Sequence, residues 1–108
     1  MRYESLAALL AAKSADLARG PLSIVMAEDE VEVASTLAHQ LKCGFRTVLL
    51  LAPEGLEAPP DLSARIDVVT HDVFAEGALV GAVNQVMDQV AGAWVHYCHN
   101  AEYLFFPF

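Results

Sequence analysis

Two short polar clusters interrupt an otherwise apolar chain. Glu28, Asp29 and Glu30 stand in series directly after LSIVMA, and His96, Cys98 and His99 end the run AWVHYCH just before Asn100, Ala101 and Glu102. Clustered carboxylates suit two tasks, holding a hard divalent cation and moving a proton. Their plainer role is a solvated strand end that also caps the next helix, with Asp29 or Glu30 at the positive end of its dipole. The H-x-C-H spacing hints at a transition metal. In an extended strand, however, His96 and Cys98 project to one side while Tyr97 and His99 project to the other. No second Cys/His pair at zinc spacing accompanies them, and nothing around Cys98 supplies the orienting partner or oxyanion donor of a thiol nucleophile.

The elements that must carry these clusters follow from periodicity. Leu6, Leu9, Leu10, Lys13 and Leu17 have helical spacing, with Arg19 and Gly20 as a stop, so the N-terminal segment reads as an amphipathic surface helix. Its short apolar run and the early Glu4 do not fit a signal peptide. The runs at 22–27 and 45–53 read as strands buried on both faces, joined by a helix through Val33, Leu37 and Leu41 that Gly44 closes. This is one parallel βαβ unit. Residues 54–64 have the Gly and Pro content of a loop with room for one helical turn. A third strand is expected at 66–70 and a helix over 77–92, in which Leu79, Val83, Val86, Met87 and Val90 share a face and Gly92 is the stop. The last strand, 93–98, places Trp94 in the core, where truncation to Ala would cost about 3–5 kcal/mol.

Composition bounds the function. With 6 Lys+Arg against 14 Asp+Glu, the formal net charge of −8 opposes unassisted binding to nucleic acid or an anionic membrane. No segment reaches the ~20 apolar residues of a membrane span. Cys43 and Cys98 read as reduced, buried thiols, which points to the cytoplasm. Phosphate loops of the GxGxxG or GxxxxGK(S/T) kind are absent from the sequence, which argues against Walker-type nucleotide hydrolases and nicotinamide dehydrogenases.

The expected fold is a single α/β domain over 1–108, a Rossmann-like three-layer sandwich. Its mainly parallel sheet of about four strands has helices on both faces. Taking the strands at 22–27, 45–53, 66–70 and 93–98 as first to fourth, the expected order is 3-2-1-4. Ligands of such sheets lie beyond the strand carboxyl ends, where the order reverses. That rule selects Glu28 to Glu30, Ala52 to Glu54, His71 with Asp72, and His99 to Glu102.

Two families resemble parts of this pattern. IVMAEDEVEVASTLAHQLKCGFRTVLLLAP resembles the start of a bacterial response-regulator receiver, with Asp72 at the place of the phosphorylatable aspartate. A longer resemblance, over about residues 22–106, is to family 2-like glycosyltransferases of the GT-A fold. There an acidic element follows the first strand, LKCGF matches the helix-ending turn, and WVHYCHNAEYLFF superposes without a gap on a Trp, hydrophobic run, Asp-Ala-Asp-Glu and Phe-Leu pattern. His99 and Ala101 then occupy the two aspartate positions, Asn100 the residue between them, and Glu102 the following glutamate.

The resemblance implies a nucleoside diphosphate sugar as ligand, held by Ala27, Glu28, Asp29, Glu30, Pro53, His99, Asn100 and Glu102. Glu28 to Glu30 and Pro53 would line base and ribose, with His99 to Glu102 near the diphosphate. Family members hold Mg²⁺ or Mn²⁺ on the two aspartates, and here only Glu102 keeps a carboxylate for metal. The resemblance therefore implies either a metal-independent mode of transfer or a segment that has lost catalysis and keeps only the fold. By family length it is expected to be the N-terminal part of a longer protein, and LFFPF is expected to pack against further chain or a second copy. The competing expectation is a non-catalytic receiver-like or scaffold domain that acts through protein contacts.

Overall fold

The computed structural model describes residues 2–29, 32–90 and 94–99. In chain order these form β1 (Arg2–Tyr3), α1 (Leu6–Leu17), β2 (Leu22–Met26), α2 (Val33–Lys42), β3 (Thr47–Ala52), a 3-10 turn (Ser63–Arg65), β4 (Ile66–Thr70), α3 (Ala78–Gln89) and β5 (Val95–His99). The five strands make one sheet of order β1-β4-β3-β2-β5, parallel throughout. The fold is thus α/β, and the order expected for the four longer strands is the order observed. The added strand is β1, too short to show a periodicity of its own.

Alternation along the strands builds two cores. Leu22, Ile24 and Met26 of β2 face the same side as Leu49 and Leu51 of β3, where α1 and α3 cover them with Leu9, Leu17, Ala82 and Val86. The other parity, Val25, Val48, Leu50, Ile66 and Val68, packs under Leu37 of α2 and under Leu56 and Ala58 of the loop that follows β3. Strands buried on both faces are rich in β-branched and leucine side chains, which is why LSIVM and TVLLLA show no polar alternation, and the one polar residue of β2, Ser23, is hydrogen-bonded.

Ser5 caps α1, its Oγ accepting from Ala8 N–H at 3.1 Å. For α2, the acidic run does not supply the cap. Glu32 holds that position at φ 54, a left-handed conformation uncommon for a residue with a Cβ, and makes no side-chain capping bond. Asp29 lies three residues upstream, and Glu30 lies outside the described residues. At the other end Gly44, with φ 95, lets the chain leave the helix as a C′ glycine does.

Two expected core side chains are outside. Trp94 precedes β5 and is 86% exposed, because among the described residues β5 borders only β2 and none packs over its entry. Met87 is 58% exposed. The buried stripe of α3 runs through Leu79, Ala82, Val83, Val86 and Val90, and Met87 falls one step past its edge. Gly92, the expected stop of α3, lies outside the described residues.

At the opposite sheet edge, Arg2 of β1 fastens the loop after β3. Its guanidinium donates to Leu56 O at 2.8 Å and to Thr70 Oγ1 at 3.0 Å, and lies 3.5 Å from Glu57 Oε1. No helix among the described residues is long and apolar enough to cross a membrane.

Candidate functional site

From β2 the chain proceeds outward through β3 to β4, then returns to lay β5 on the other flank of β2. The strand order therefore reverses between β2 and β5. Loops leaving the two strands diverge there and open a crevice at their carboxyl ends. A cavity of about 410 Å³ occupies this place. Its floor is Met26, Val73 and Leu79, and Phe74 and Val80 form a rim. Glu28 and His99 bring the polar groups, one from the end of each strand.

The pairing of β2 with β5 sets this geometry, because Met26 and His99 are partners in the ladder. Equal register makes both strands end at the same height. His99 shares the strand face of Val95 and Tyr97, the face toward α3, while Cys98 turns into the α2-side core. The H-x-C-H run is therefore split between two faces, as expected. His96 stacks on Phe45, with ring centroids 5.6 Å apart.

The third wall is the start of α3. Gly77 takes the cap position at φ 69 and ψ 18 and has no side chain with which to accept from the first-turn N–H groups. Those donors and the helix dipole give this wall positive potential. Phe74, 69% exposed, presents an aromatic surface beside it. The cavity thus combines an apolar floor, an aromatic edge, a helix N-terminus, one carboxylate and one imidazole.

Comparison of the chain with protein-family models, with curated proteins and with solved structures returns no match.

Of the residues expected to bind ligand, Glu28 and His99 are brought together in the cavity wall. Asp29 is exposed next to Glu28, and Ala27 is fully buried, its N–H donating to Leu51 O at 2.9 Å. Pro53 ends β3, one strand further away, and its carbonyl accepts from Leu56 N–H at 3.2 Å. Glu30, Asn100 and Glu102 lie outside the described residues, and with them the expected metal ligand. Among the described residues no three His, Cys, Asp or Glu side chains converge on a metal position.

Sequence reasoning missed Phe74 and the start of α3. A signal was present in HDVFAEG, where a phenylalanine sits in a polar loop between a strand end and the glycine that opens a helix. Neither cysteine is bridged in a disulfide, and only Cys98 is buried. Cys43 is half-buried at the end of α2, its Sγ 3.6 Å from His39 Nε2.

Proposed function

We propose that this chain is a nucleotide-sugar-binding domain of the glycosyltransferase kind, with its ligand in the cavity between β2, β5 and α3. The observation that carries the reading is the coincidence of that cavity with the point where strand order reverses. Each part of a nucleoside diphosphate sugar has a complementary wall. The base stacks on exposed Phe74, and Glu28 accepts from ribose hydroxyls, the role acidic residues take near strand ends in nucleotide-binding sheets. The diphosphate lies along the first turn of α3, where N–H groups offset its charge, and His99 donates to it from the end of β5.

Glycosyl transfer asks for more than binding. In the resembling family a metal on paired aspartates neutralises the departing diphosphate. Here His99 and Ala101 stand at those positions, so the reading is of a binding domain whose transfer, if retained, runs without that metal.

The receiver reading has less support. In the 2-1-3-4-5 sheets of that class the third strand borders the first. In this sheet β3 separates β4 from β2, so Asp72 and the Glu28–Asp29 pair leave strands that are not neighbours.

Calorimetric titration with UDP and GDP sugars, with and without Mn²⁺, tests the proposal. Saturable heat with at least one nucleotide sugar, weakened by Phe74→Ala and Glu28→Gln, is the expected result. Absence of heat from all of them would overturn it. Labelling of Asp72 by acetyl phosphate would favour the receiver reading instead.

A further inference from the structure

The opposite end of the sheet carries a second polar cavity, remote from the first. It lies at the amino ends of β3 and β4, beneath α1, and measures about 290 Å³. Lys13, Arg46 and Arg65 all line it, half of the chain's six Lys and Arg residues. Only two carboxylates, Asp16 and Asp67, share the wall. In a chain of net charge −8, this pocket has a local surplus of positive charge.

The donor inventory shows where that surplus is. Lys13 Nζ gives two hydrogen bonds to Asp67, at 3.1 and 3.3 Å, and both Asp67 oxygens are engaged. Arg46 uses Nη1 on the Asp16 carbonyl and carboxylate, at 3.1 and 3.3 Å. The guanidinium of Arg65 has no acceptor among the described residues, so its five N–H donors face solvent and the cavity. Thr47 adds a hydroxyl to the same wall. The carboxylates thus anchor Lys13 and Arg46 in place without neutralising Arg65. A planar guanidinium fork set beside two held cations matches a tetrahedral oxyanion of charge −2.

We propose that this cavity binds a phosphate group, with Arg65 as its principal contact and Arg46, Lys13 and Thr47 around it. The site is independent of the switch-point cavity, because it lies at the other end of the strands and shares no residue with it. Occupation joins α1, the 3-10 turn and the start of β3 through one ligand.

Titration with inorganic phosphate, and separately with glycerol 2-phosphate, followed by two-dimensional amide and arginine side-chain NMR at constant ionic strength, tests this. The expected result is saturable shifts at Arg46, Thr47 and Arg65. Arg65→Gln, which alters an exposed side chain, should weaken them about tenfold, and His99→Asn should leave them intact. Tighter binding of the ester identifies a phosphorylated metabolite as the ligand, and tighter binding of the ion identifies free phosphate. Shifts that grow linearly and equal those from added chloride, shifts confined to Ala78–Val80, or unchanged affinity in Arg65→Gln would each overturn the proposal.

Discussion

Ser23 Oγ and Gln40 Oε1 lie 2.6 Å apart inside the core between the sheet and α2, and both residues are fully buried. The hydroxyl donates, so the amide oxygen is satisfied, while Gln40 Nε2 finds no acceptor among the described residues. A buried donor without a partner costs about 1–3 kcal/mol. Ser23→Ala should destabilise the fold by about 1–2 kcal/mol, since it strands the other half of the amide. Ser23→Ala combined with Gln40→Leu should recover that loss, because no polar atom of the pair then remains in the core. Urea denaturation of the three proteins checks this, and a double variant less stable than Ser23→Ala would contradict it.

Lys13 and Asp67 give stability a pH dependence. Asp67 is 7% exposed, and its carboxylate accepts from Lys13 at 3.1 Å. That hydrogen bond raises the Lys13 pKa above the ordinary lysine value, with partial desolvation opposing it. A folded pKa above the unfolded one means the contribution is complete below the unfolded pKa and lost as pH rises through the folded pKa. Lys13→Met should therefore lower stability at pH 8. Its disadvantage should shrink above about pH 10.4, where lysine in the unfolded chain loses its proton. The loss at pH 8 should be about 1–2 kcal/mol, less than for a fully buried pair, because the Lys13 side chain is 34% exposed. Thermal melts across that alkaline range provide the measurement.

Trp94→Ala should change stability by no more than about 0.5 kcal/mol, as exposed substitutions do. Trp94 is the sole tryptophan, so its fluorescence reports one environment. Emission at the wavelength of free tryptophan in water and a near-neutral denaturation midpoint are the expected results. Emission shifted to the blue would show that something covers this ring.

Gly77 and Gly81 should respond oppositely to alanine. A Cβ at either position meets nothing within 4 Å. Gly81 lies inside α3, so Gly81→Ala gains helix propensity and should stabilise by about 0.5–1 kcal/mol. Gly77 has φ 69, where a Cβ is strained, so Gly77→Ala should destabilise by about 1 kcal/mol. Chemical denaturation separates the two signs.

The order of the four long strands was legible because buried parallel strands read as unbroken apolar runs, and the connections after β2 and β4 each carried a helical periodicity with a glycine near its end. The switch point followed from that order, and with it Glu28 and His99. Trp94 was misread because an apolar residue beside an apolar run is assigned to the core, whereas the border of a sheet leaves such a residue uncovered. Met87 failed for a similar reason, since helical periodicity gives the direction of a stripe but not its width. Phe74 and the start of α3 were missed because a cavity is made by elements distant in sequence, here the ends of β2 and β5 and the loop before α3. The cationic pocket was equally hidden, with Lys13, Arg46 and Arg65 spread over fifty-two positions.

The bonds of Arg2 set an order of events. Its acceptors at Leu56 and Thr70 lie 54 and 68 residues further on, so Arg2 cannot be fastened until the sequence through Thr70 exists. Closure over such separations is entropically costly and slow. During synthesis β1 is made well before its partner strand and docks only once β4 exists. Until it docks, β4 presents an unpaired flank to any other strand it meets.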